Sequence, residues 1–127
     1  MKRAQTAVLP DFKSPRPADI FELIYNDTGL RVRVELEPGG TIVHFPDATG
    51  FRLLDEGDLL EFWPLPGAKG MGWVFEVLGG GWLELESTRS GFLSKSVAGM
   101  KEYLVVTGSD CLCVFSFSPP TLNTSAT

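Results

Sequence analysis

Histidine and cysteine are nearly missing from this 127-residue chain, which has one of the first and two of the second. A lone imidazole excludes a metal centre built from several histidines. Two cysteines exclude both a disulfide framework and a four-cysteine zinc site. Cys111 and Cys113 stand two residues apart, so on a strand they point to the same face, where a bridge between them would be strained. They read as small buried apolar residues of a reduced protein. Basic charge is also scarce: from residue 20 onward there are seven Lys and Arg against fourteen Asp and Glu, and the net charge of the whole chain is -5. Such a surface repels phosphate backbones, which excludes nucleic acid as the expected partner. No apolar run approaches the roughly 20 residues of a membrane helix, so no membrane association is expected. The first residues carry no apolar stretch of a secretory leader, and a cytoplasmic location is expected. A Gly-Lys-Ser/Thr phosphate loop, a Gly-x-Ser-x-Gly elbow and a His/Cys nucleophile pair are missing as well.

What the chain does contain is period-two patterning. Hydrophobic residues make up 43%, with nine Phe and three Trp, enough for one packed core at this length. Strands are predicted over 20–26, 30–37, 41–45, 51–54, 59–63, 73–78, 82–87, 103–107 and 112–118, punctuated by Gly, Pro and Asp. Asn26-Asp-Thr-Gly29, Pro38-Gly-Gly40 and Gly79-Gly-Gly81 supply the positions tight turns demand. No stretch keeps helical spacing over about ten residues. The expected fold is all-β, a single small barrel or jelly-roll sandwich over residues 20–118. Residues 1–19, with Pro10, Pro15 and Pro17, read as a flexible arm, and 119–127 as a flexible polar tail. The 64–72 segment, glycine-hinged with apolar Leu65 and Met71, reads as an ordinary surface loop or a lid over a barrel mouth.

Two stretches keep a recognisable spacing. The first, PGGTIVHFPDATGFRLLDEG over 38–57, and the second, GFLSKSVAGMKEYLVV over 91–106, resemble the paired motifs of the cupin superfamily. Aligned to that pattern, His44 falls on a metal-ligand position, while Pro46, Gly50 and Glu102 replace the other ligands and Val97 and Val106 depart from the pattern's Pro and Asn. The glycines survive at Gly39-Gly40, Gly57, Gly91 and Gly99. The resemblance implies a β-barrel whose cavity receives His44 and Glu102 from facing strands. Two ligands are too few for tight metal binding, so no metal and no cofactor is expected. The pair is instead assigned acid/base work, where burial raises a Glu and a neighbouring carboxylate favours imidazolium. Arg52 lies on the same strand face as Gly50 and is assigned the anionic group of a ligand. Tyr25, Trp63 and Trp73 complete the expected substrate-binding set, and the aromatic excess implies a partly apolar ligand. The functional expectation is a metal-independent cupin-like barrel that binds a small, partly apolar, acid-bearing molecule. Cyclisation, isomerisation or elimination by acid/base chemistry is the activity such a site would carry. The alternatives are a non-catalytic acidic binding module, such as an inhibitor or immunity-type partner of a basic protein, and a cupin metalloenzyme with altered ligands. A homodimer is expected from the resemblance and from strand edges that would otherwise stay open.

Overall fold

The computed structural model describes residues 5–36, 39–55, 72–86, 88 and 99–124. Among these residues nine strands run β1 (Gln5–Val8), β2 (Ile20–Asn26), β3 (Gly29–Leu36), β4 (Gly39–Phe45), β5 (Ala48–Asp55), β6 (Val74–Gly79), β7 (Lys101–Val106), β8 (Asp110–Ser116) and β9 (Thr121–Thr124), with a 3-10 turn at Pro10–Phe12 and one short helix, α1 (Trp82–Glu86). They form two antiparallel sheets, β1-β6-β7-β8-β5 and β2-β3-β4-β9. The all-β expectation holds; the described strands make two unclosed sheets rather than a closed barrel. Among the described residues, no helix is long and apolar enough to cross a membrane.

The turn residues explain the smaller sheet. Asn26 Oδ1 accepts the Thr28 amide at 2.9 Å and the Thr28 hydroxyl at 2.6 Å, folding β2 back onto β3. Gly29 completes that turn at φ 105°, and a Cβ there would lie 2.3 Å from the Phe45 carbonyl oxygen, so only glycine fits. Pairing of Leu30 with Phe45 and Val32 with Val43 then sends alternate residues to one face. Leu30, Val32, Val34, Val43 and Phe45 meet Val74, Tyr103, Val105, Leu112 and Val114 of the larger sheet in the main core. The outer face of the larger sheet carries a second apolar cluster of Phe75, Leu104, Val106, Cys111 and Cys113, with Trp82 of α1 packed against it.

Three expectations need correcting. Residues 5–19 are not a free arm: β1 pairs with β6, the Phe12 amide bonds the Leu9 carbonyl, and the Trp73 amide bonds the Phe12 carbonyl at 3.1 Å. Arg16 Nε donates to the Gly72 carbonyl at 2.9 Å, and the Gly108 amide donates to the Pro17 carbonyl at 2.9 Å. Prolines that cannot sit inside a central strand serve here as the corners of a docked segment. The 119–127 tail likewise supplies β9, which pairs with β4. The strand predicted over 82–87 is instead α1, since Trp-Leu-Glu-Leu-Glu fits either period over five residues and Leu and Glu favour helix. The helix is held by the Leu85 amide on the Gly81 carbonyl at 3.2 Å and by Trp82 Nε1 on Glu86 Oε1 at 3.1 Å. The strand over 59–63, with Trp63, the motif positions Gly57, Gly91 and Val97, and segment 64–71 lie outside the described residues.

Candidate functional site

Strand alternation separates the residues that the cupin-like spacing groups together. Val43 and Phe45 face the core, so His44 between them faces away on the outer side of the four-stranded sheet, 2.7 Å from the Thr28 carbonyl oxygen. Glu102 and Arg52 lie on the outer face of the other sheet, in register with Phe115 and Cys113 respectively. The structure therefore brings Arg52 and Glu102 to one face and leaves His44 on the opposite side of the sandwich. Tyr25 bridges the sheets at one edge, its ring 5.8 Å from that of Phe51 and its hydroxyl 3.5 Å from the Ala48 carbonyl. Trp73 is wholly buried in the main core, its indole N–H donating to Ser14 Oγ at 3.1 Å.

The Glu102 face is built as a tie. Its Oε1 accepts the Leu83 amide at 2.8 Å, and a Cβ on Gly81 would come within 2.6 Å of that oxygen, so glycine lets the turn before α1 close over the carboxylate. The guanidinium of Arg52 lies 4.9 Å over the Trp82 ring, which stacks on Phe115 at 4.0 Å. Both cysteines are free and buried here. The Cys111–Cys113 hydrogen bond, then burial, pushes the Cys111 thiol up. The same hydrogen bond, joined by one from Arg52, holds Cys113 below the ordinary thiol value although burial opposes it. A cavity of about 310 Å³ opens beside this cluster, lined by Val77, Leu78, Gly79, Gly81, Leu83, Glu84 and Glu102.

A second cavity of about 310 Å³ opens beside β6 and β7, against the Leu9–Phe12 segment and Pro119–Pro120. Its apolar wall is Leu9, Pro10, Phe12, Pro119 and Pro120, contributed by the two terminal segments; its polar groups are Asp11, Glu76, Lys101 and Tyr103. Glu76 and Tyr103 are register partners on β6 and β7, so their side chains rise together on the core side. Lys101, two residues before Tyr103, shares that side and places Nζ 3.7 Å from Glu76 Oε2. Tyr103 is 1% exposed, with its ring 5.9 Å from that of Phe45. Burial, then the Glu76 charge, raises Tyr103 above the ordinary tyrosine value of 10.0, which keeps the phenol protonated and a donor.

On β7, Glu102 faces out and its neighbour Tyr103 faces the space between the sheets. The signal that resolves His44 was in Thr41-Ile-Val-His-Phe45, where the apolar alternation already turns the imidazole outward. No comparable signal existed on β7, because Leu104 and Val106 are as buried as Tyr103 and Val105. Among the described residues, no three His, Cys, Asp or Glu side chains converge as a metal would require.

No family model, curated protein or solved structure matches this chain.

Proposed function

We propose that the chain binds a small, partly apolar, acid-bearing molecule in the cavity beside β6 and β7, with Lys101 and the Tyr103 hydroxyl as partners of its acid group. The observation that carries this reading is the make-up of the cavity wall, which sets Lys101 and Tyr103 beside an apolar lining of Leu9, Phe12, Pro119 and Pro120. The cavity, at about 310 Å³, suits a small metabolite and not a polymer. Phe12, Leu9 and the two prolines hold the apolar part. To the register partners Tyr103 and Glu76 we assign the proton-donor and proton-acceptor roles of an isomerisation or elimination. The cupin resemblance supports the same class of activity, a small molecule enclosed by a two-sheet scaffold, with Tyr103 and Glu76 in place of His44 and Glu102.

The test is a titration of isotope-labelled protein with hexanoate and benzoate, followed by amide NMR. Perturbations centred on Glu76, Lys101, Tyr103 and Phe12 are expected, with affinity weakened roughly 10-fold or more in Tyr103→Phe and Lys101→Ala. Perturbations confined to the Gly79–Glu84 turn, or unchanged affinity in both variants, would overturn the assignment.

A further inference from the structure

The charges in the cavity specify more than an acid. Lys101 and Glu76 are adjacent and opposite in sign, and their 3.7 Å separation is longer than a charge-assisted hydrogen bond of about 2.7–2.9 Å, so neither has spent its bonding capacity on the other. Both remain partly exposed, where such a pair contributes little to stability and opening it costs little. Asp11 adds a second carboxylate to the wall, so the three formal charges sum to one negative. A ligand bearing only an acid satisfies Lys101 and Tyr103 but faces Glu76 and Asp11 across a small cavity. A ligand bearing only an amine satisfies the carboxylates and faces Lys101. A molecule with both groups on neighbouring atoms matches the wall at each point, and its apolar remainder lies against Phe12, Leu9 and Pro120.

We infer that the occupant of this cavity is a small zwitterion, a carboxylate and an ammonium close together on one apolar body, as in an aliphatic amino acid. The inference rests on the acid-binding reading above and adds Glu76 and Asp11 as the ammonium's partners. A zwitterion also fits the acidic surface, which a free carboxylate approaches against repulsion.

Calorimetric titration with three matched probes tests it: norleucine, hexanoate (the same skeleton without the amine) and pentylamine (the same skeleton without the acid). Norleucine should bind roughly 10-fold or more tightly than either partner probe, the worth of one added charged hydrogen bond. Glu76→Gln should erase that advantage, bringing norleucine to the level of hexanoate. Asp11→Asn, an exposed change on the 3-10 turn, should erode the same advantage and stands in if Glu76→Gln disturbs the strand pair. If hexanoate binds as tightly as norleucine and Lys101→Ala weakens both equally, the ammonium subsite is refuted and the acid reading survives. If pentylamine binds best, or if no probe depends on Lys101 and Tyr103, both readings fall together.

Discussion

Phe12→Ala measures whether the N-terminal segment is part of the fold. Phe12 is 2% exposed, and its ring meets Trp73 edge-on at 5.2 Å and 83°. Removing a buried Phe side chain costs about 3–5 kcal/mol, the sum of lost transfer energy, the cavity left behind and the lost ring pair. Backbone bonds from Trp73 to the Phe12 carbonyl and from Gly72 to the Ser14 carbonyl hold the segment in place, so it cannot collapse freely into the gap. The full cost should therefore be felt, a large share of the roughly 5–15 kcal/mol that holds such a domain together. In urea, with a slope of about 1.5 kcal/mol per molar, the midpoint should fall by about 2–3 M. The melting temperature should fall by roughly 12–20 °C at about 4 °C per kcal/mol. Lys13→Ala, an exposed change one residue on, is the control and should stay within about 0.5 kcal/mol of the parent. A Phe12→Ala protein as stable as that control would refute the docked segment and remove the apolar wall of the proposed site with it.

Gly29→Ala should cost at least about 2 kcal/mol in the same urea assay, because φ 105° is unfavourable for a side chain and the new Cβ meets the Phe45 carbonyl. Gly79→Ala, whose Cβ would meet nothing within 4 Å, should change stability by less than about 0.5 kcal/mol, and equal effects at the two glycines would contradict the described turn. Tyr103 titrates above 10.0 in the fold, so the unfolded chain gives up this proton first. Its contribution is complete below pH 10.0 and is lost as pH rises through the folded value, so stability should fall more steeply on that limb in the parent than in Tyr103→Phe, and parallel limbs would argue against a buried phenol.

The legible part of this fold is the part set by local pattern. The β2-β3-β4 meander follows from Asn26-Asp-Thr-Gly29 and from clean alternation on β4, and β5 to β8 fall near their predicted places. The illegible part depends on partners distant in sequence. Gln-Thr-Ala-Val in β1 and Thr-Leu-Asn-Thr in β9 are too short and too polar to announce strands, and they exist because β6 and β4 offer edges. Pro10, Pro15 and Pro17 argued for an unpacked arm while Phe12 between them is core. On β7 and β8 both faces are buried, one under the second sheet and one under α1, which erases the alternation that would have told Tyr103 from Glu102. The outward turn of His44 was reachable from the alternation on β4; the shared face of Arg52 and Glu102 required the pairing of β5 and β7 with β8.

The strand order also sets when the protein can finish folding as it leaves the ribosome. Gln5 waits for Gly79 and Thr41 waits for Thr124, so each of these edges stays unpaired until a long intervening stretch has been synthesised. The β2-β3-β4 meander can assemble from neighbouring residues much sooner, but Leu30, Val32, Val43 and Phe45 then present a bare greasy surface until β7 and β8 emerge to cover it. Pairing this non-local is slow, and the chain passes through an interval in which a half-sandwich exposes its core face. Because the wall of the proposed site joins Leu9–Phe12 to Pro119–Pro120, the cavity cannot close until more than a hundred residues lie between its two sides.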